Sequence, residues 1–158
     1  MIVVPDAGPL IYLGGAGHLE LLRLLYTEVV VPRIVVDEVV VAGVGLPGAD
    51  AVAGAAWLKV EDAAPDPALL ILLDAGEAAA IPLAVRLHAT LLADDADART
   101  VARERGLPVV GTLGVLLSAK RRHLLTEVAP IIERMEQLGM FVSVRLREEV
   151  LRIAGESD

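Results

Sequence analysis

Ile2-Val3-Val4-Pro5-Asp6-Ala7-Gly8-Pro9-Leu10-Ile11 opens the chain with an apolar run, one acid, a turn and a second apolar run. Residues 2–5 are too few for a helix and too apolar for a surface loop, so they read as a short buried strand. Asp6-Ala7-Gly8-Pro9 is turn chemistry, and Pro9 suits the first turn of a helix. A second stretch repeats the grammar: Thr90-Leu91-Leu92-Ala93 is a buried strand followed at once by Asp94-Asp95. In a parallel α/β sheet, ligands bind in the crevice outside the carboxyl ends of the strands. Acids at two such ends converge on one mouth and repel each other unless a cation joins them, and a divalent metal ion is the simplest such cation.

Between these stretches, buried strands and helices alternate. Leu10, Ile11 and Leu13 give a short helix that Gly14-Gly15 should stop, His18 to Tyr26 a second helix, and Val29 to Val31 a strand closed by Pro32. Residues 33–44 carry β-branched triplets on both sides of Asp37-Glu38, but Pro32 at their start favours a helix with one wet face. Gly43 to Gly48 is a loop, 49–56 a weak helix, 57–60 a strand and 62–67 a linker. Leu69 to Leu73 and Ala75 to His88 read as two helices meeting near Asp74. Asp95 or Asp97 caps a helix to Arg105, with Asp97 the better candidate for a pure cap, and Gly106 ends it. Pro108 to Val110 is a strand, Gly111-Thr112 opens a helix to about Arg122, and 126–138 and 144–153 are helices. This alternation predicts an α/β fold with a mainly parallel sheet. Its 158 residues form a single domain, 1–158, with 126–158 as a C-terminal helical extension.

Composition narrows the function. Hydrophobic residues make up 55% and aromatics 3%, so the core is aliphatic and few side chains can stack on bases. The absence of cysteine excludes disulfides and thiolate metal sites. No basic leader or long apolar run marks a secretory signal or a membrane span, which predicts a cytoplasmic protein. The net charge of −8 argues against generic nucleic-acid binding, yet it is uneven: residues 1–98 carry −10 and residues 99–158 carry +2. Arg99, Arg103, Arg105, Lys120, Arg121 and Arg122 supply that basic excess.

Four acidic positions are candidates for chemistry, and each also has a structural explanation. Asp6 can cap the helix after it, Glu38 can be a solvated helix residue, and Asp74-Ala75-Gly76-Glu77 has the spacing of a capping box. Of Asp94 and Asp95, one can cap the next helix, but two adjacent carboxylates after a buried strand are harder to explain by capping alone. His18, His88 and His123 have no ligand spacing, Gly14-Gly15-Ala16-Gly17 lacks the residues of a phosphate loop, and no serine elbow is present.

In this order the motifs resemble those of the PIN-domain family, its small prokaryotic branch with VapC-type toxin relatives. The resemblance rests on Asp6-Ala7-Gly8-Pro9-Leu10-Ile11, on Val31-Pro32 with Glu38-Val39, and on Asp74-Ala75-Gly76-Glu77-Ala78-Ala79-Ala80-Ile81. It continues through Leu91 to Arg99 and Gly106 to Lys120, and covers roughly residues 2–122. It implies a three-layer α/β/α fold and an endoribonuclease dependent on Mg²⁺ or Mn²⁺. Asp6, Glu38, Glu77 and Asp95 would be catalytic, with Asp6 and Asp95 or Asp94 as metal ligands. Arg99 and Lys120 would steer the RNA phosphate. An antitoxin protein and a second copy of the chain are the implied partners. A catalytically inactive PIN-like interaction module is the alternative. A receiver-type phosphotransfer domain would share the strand-end acids, but Pro108 to Val110 ends in Gly111-Thr112 with no lysine at its tip.

Overall fold

The strands order themselves β3-β2-β1-β4-β5 and every pairing is parallel. They are β1 (Ile2–Pro5), β2 (Glu28–Pro32), β3 (Lys59–Glu61), β4 (Thr90–Leu92) and β5 (Val109–Val110). The computed structural model describes residues 1–157; Asp158, the last residue of the expected C-terminal extension, lies outside them. The chain builds outward from β1 through β2 to β3, then returns to β1's other side for β4 and β5. The order therefore reverses between β1 and β4, which makes the crevice outside their carboxyl ends the topological switch point of the sheet.

Alternate strand residues point to opposite faces, and two apolar clusters result. On one face Val3, Val29, Val31 and Leu92 pack with helices α1 (Ala7–Gly15), α2 (Glu20–Leu25), α3 (Arg33–Val40) and α7 (Thr112–Arg121). Helices α8 (Ala129–Gln137) and α9 (Val144–Ala154) join this cluster through Ile132, Met135 and Val150. On the other face Val4, Val30 and Leu91 meet α5 (Ala75–Leu87) and α6 (Ala96–Glu104). Short α4 (Ala49–Ala53) packs beside α1 and α3. Helices thus cover both faces of a parallel sheet, giving three α/β/α layers. Ala78, Ala79, Ala80 and Ala84 are fully buried in α5, so small side chains let that helix lie close on β1, β2 and β4.

The helix expected over 33–44 forms as α3, started by Pro32, and its Val35 and Val39 face the core. Several expected bounds need correction. The first helix, α1, runs from Ala7 to Gly15, so it ends within the Gly14-Gly15 pair and includes both residues. The pair is also a packing device. A methyl on Gly14 would sit 3.1 Å from Gly48 Cα, and one on Gly15 would sit 2.8 Å from Leu138 Cδ1. The second helix begins at Glu20 rather than His18, the third strand begins two residues late at Lys59, and residues 69–73 form only a 3₁₀ turn at Leu69–Ile71. Asp97 is not the cap of α6. Asp95 is, its Oδ2 accepting from the Ala98 N–H at 2.9 Å.

Candidate metal and phosphate mouth

Asp6 follows the last residue of β1, and its N–H donates to the Leu92 carbonyl at 2.9 Å, so it lies level with the end of β4. That bond sets Asp6 beside the Asp94-Asp95 turn, across the switch-point crevice. Although Asp6 occupies the N-cap position of α1, its side chain caps nothing, and its Oδ1 is buried with no hydrogen-bond partner among the described residues. A buried carboxylate oxygen without a donor is costly, since an unmet buried polar group forfeits its whole hydration. Burial raises the Asp6 pKa to about 7; the Ala7 amide opposes this, while the charges of Asp74, Glu38 and Asp94 add to it. Three acids therefore act on a fourth with no cation between them.

Glu38 reaches the mouth from α3, and its pKa is raised by burial and by Asp74. Gly76, in the first turn of α5, keeps the space between Glu38 and Asp6 open. A methyl there would stand 3.4 Å from both Asp6 Oδ1 and Glu38 Oε2. The expected capping box is formed in full: the Glu77 N–H donates to Asp74 Oδ1 at 2.8 Å, and the Asp74 N–H donates to Glu77 Oε1 at 3.2 Å. Glu77 is only 7% exposed. Burial lifts its pKa to about 8 against the Asp74 amide, with Asp6, Asp74 and Asp95 adding to the rise.

The Asp94-Asp95 pair divides its labour. Asp95 caps α6. Asp94 accepts from the Thr112 N–H at 2.8 Å and from the Thr112 hydroxyl at 2.6 Å. Thr112 is completely buried at the first turn of α7, so these two bonds hold Asp94 at the mouth. Gly111 permits the approach, because a methyl at that position would lie 3.0 Å from Asp94 Oδ1 and 2.9 Å from Arg99 Nη1. Arg99 also donates to the Ala93 carbonyl at 2.9 Å, which anchors it behind the acid pair. Its pKa is lowered by burial and by Arg103, with Asp94 opposing.

Lys120 is the expected site residue that the fold does not bring to the mouth. It lies eight residues beyond Thr112, about 12 Å along α7 by helical rise. Its Nζ donates to the Ala154 carbonyl at 2.6 Å and to Glu156 Oε2 at 2.9 Å. A phosphate-steering role for Lys120 therefore has no geometric basis. Two residues that residue-by-residue reading passed over do belong to the mouth: Asp74, whose charge acts on Asp6, Glu38 and Glu77, and Thr112. Asp74 was visible in the capping box, but only as a cap. Thr112 was visible only as a residue that opens the helix after Gly111.

The mouth adjoins a shallow cleft of about 520 Å³, lined by Ile34, Glu38, Val41, Ala42 and Gly76 among others. Among the described residues, no three histidine, aspartate or glutamate side chains converge closely enough to ligate one metal ion. No helix there is long and apolar enough to cross a membrane.

A search of proteins of curated function finds no match. Among solved structures the chain is similar to a PilT N-terminus domain protein from the hyperthermophilic archaeon Sulfolobus solfataricus P2, at 21% identity and a TM-score of 0.54. That match covers 75% of this chain and 93% of the archaeal one, and supports the fold. A PIN-domain family model matches residues 2–156, taking in both sheet faces, the strand-end acids and the helices after β5. With acids from β1, α3, α5 and the β4 turn gathered at the switch point of a parallel sheet, the chain belongs to the PIN-domain family.

Proposed function

We propose that this protein is a metal-dependent endoribonuclease that hydrolyses RNA phosphodiester bonds at the Asp6 mouth. The observation that carries this reading is the orphaned, buried Oδ1 of Asp6, surrounded by acids and facing the gap kept open by Gly76. Nature retains such an unpaired arrangement where a cation or a proton completes it. The donors are all hard oxygens, which fits Mg²⁺ or Mn²⁺ and not a soft metal. The lack of a three-ligand cluster fits an ion held by one or two carboxylates with water and substrate oxygens, as Mg²⁺ commonly is.

Asp6 and Asp94 are the residues that would hold the ion, Asp94 being pre-set by Thr112. Asp95 supports them as the cap of α6, and its second oxygen leaves it a part in the same site. When bound, a divalent ion supplies positive charge to the phosphoryl oxygens and acidifies water. Glu38 and Glu77 flank Asp6, and Glu77, with its pKa near 8, can hold or release a proton close to neutrality. Arg99 stands behind the pair as the local cation for phosphate.

The finer reading is a toxin that works as a homodimer and is silenced by an antitoxin. It draws support from exposed apolar side chains in the segments that adjoin mouth residues in the chain: Val41, Val44 and Leu46 after Glu38, and Leu70, Ile71 and Leu72 before Asp74. Co-expression with the product of a neighbouring small open reading frame, followed by sedimentation, tests both partners.

Cleavage of labelled RNA, with DNA of the same sequence in parallel, tests the hydrolase. Wild type should cut RNA with Mg²⁺ or Mn²⁺ and stop with chelator, and Asp6→Asn should lose at least about 100-fold. Equal activity in both proteins, or none with any divalent ion, sinks the proposal. The second outcome would favour the inactive interaction module.

A further inference from the structure

The chain holds one tryptophan and two tyrosines, and Trp57 and Tyr26 line the same cleft. This cleft encloses about 390 Å³ at the amino ends of β2 and β3, the edge of the sheet opposite the acid mouth. The five residues of β2 put roughly 16 Å between the two edges. Arg23 and Lys59 also line it. The Arg23 guanidinium lies 5.9 Å from the centre of the Trp57 ring, and its neighbour Glu20 holds it in place through an ion pair. Lys59 is exposed and makes no ion pair among the described residues.

Glycine keeps a second side of the indole reachable. Trp57 also lines an adjoining cleft of about 230 Å³, whose walls include Gly14, Gly17 and Gly54. A chain so poor in aromatics places two of its few flat side chains together, with two cations beside them. Trp57 and Tyr26 pack against the first apolar cluster, yet Trp57 stays half-buried and accessible from two clefts. Flat π faces hold a planar heterocycle, and guanidinium and ammonium groups hold a phosphate. Glu28 on the same wall offers a carboxylate to the amino and imino hydrogens of a base, and disfavours a ligand that is anionic throughout.

We propose that this cleft is a nucleotide-binding site, with the base against Trp57 and Tyr26 and the phosphate at Lys59 and Arg23. The ligand is either a free mononucleotide or one nucleotide of a single-stranded RNA. The site stands apart from the acid mouth, so it does not depend on the nuclease reading.

Trp57 is the protein's sole tryptophan, so its fluorescence reports the two clefts that it lines, and Arg23 and Lys59 line only the larger one. Titrations of the full chain in chelator should use AMP, GMP, a short oligoribonucleotide and inorganic phosphate. Saturable quenching by a mononucleotide identifies the free nucleotide as ligand, and saturable quenching by the oligonucleotide alone identifies an RNA subsite. Either result should weaken roughly tenfold or more in Arg23→Ala/Lys59→Ala, which removes exposed side chains and leaves the core intact. Asp6→Asn should bind as wild type does, whether or not it cleaves. Quenching by none of the nucleotides at millimolar concentration overturns the proposal. So does quenching that is the same in the double variant, or that phosphate alone reproduces.

Discussion

Two half-buried carboxylates in this molecule have opposite surroundings. Glu156, near the C-terminus, accepts from the Val128 N–H at 2.8 Å, the Ala129 N–H at 3.0 Å and the Lys120 ammonium at 2.9 Å. These donors outweigh the cost of burial and hold its pKa below the usual carboxylate range. Asp6, at the end of β1, has an orphaned oxygen and three acidic neighbours, and its pKa rises to about 7. Both sites sit at helix N-termini, where exposed amides favour an anion. The difference is that Glu156 closes a clasp between α7, α8 and the end of α9, whereas Asp6 leaves a deficit of positive charge for a ligand to fill. Structure is completed at one acid and withheld at the other.

Removing the clasp gives the largest expected loss of stability. Glu156→Ala leaves two amides without their acceptor and Lys120 with only the Ala154 carbonyl, and should cost about 3 kcal/mol in urea unfolding while leaving RNA cleavage per folded molecule unchanged. A loss under about 0.5 kcal/mol would mean that Glu156 is no better satisfied than a surface acid.

A pH series sets the two carboxylates against each other directly. Asp6 and Glu77 bind protons more tightly folded than unfolded. Without divalent ions, the stability that they allow is therefore fullest near their unfolded values and falls as pH rises through about 7 and 8. Glu156 has the opposite sign, and its contribution is lost only as pH falls below the usual carboxylate range. In chelator, unfolding free energy should drop by on the order of 2 kcal/mol from pH 5.5 to pH 8.5. Millimolar Mg²⁺ should restore most of it at the upper end. A rise in stability over that range in chelator would break the contrast.

Thr112→Val removes the hydroxyl that donates to Asp94 and keeps the shape of the buried residue. It should cost about 1 to 2 kcal/mol and raise the Mg²⁺ concentration for half-maximal cleavage by roughly tenfold, as losses of supporting ligand contacts do. Unchanged metal dependence would leave Thr112 as a helix-start residue only. The smallest stability effect belongs to Gly76→Ala. Its methyl would meet Val35 at 3.3 Å and the two carboxylates at 3.4 Å, so stability should shift by less than about 1 kcal/mol. Cleavage should nevertheless fall, because the methyl occupies the gap between Asp6 and Glu38.

The positions of the mouth acids, though not the contrast itself, are legible in the sequence. Asp6, Glu77 and the Asp94-Asp95 pair stand out because each follows a short apolar run or opens a helix, and local pattern reports such positions well. The packing role of Gly14-Gly15 was not legible. Glycine reads as a helix stop, and α1 does end at Gly15, but only the presence of Gly48 and Leu138 against the pair shows that it is also a close-packing surface. The cap of α6 stayed open between Asp95 and Asp97, with Asp97 preferred, because a two-residue shift in helix start leaves the apolar pattern intact. Lys120 was grouped with Arg99 by charge, whereas the axis of α7 separates them and Glu156, thirty-six residues on, takes its charge.

The amino-acid order by itself determined the α/β alternation, the aliphatic core and the strand-end acids, because these depend on short-range periodicity and on which residues avoid water. Only the tertiary structure decided which acid is satisfied and which is left wanting. The donors to Glu156 lie far away in sequence, and the neighbours that disturb Asp6 come from α3, α5 and the β4 turn. Electrostatic and hydrogen-bond energies depend on separation in space, and that separation exists only once the sheet has brought β1 and β4 side by side.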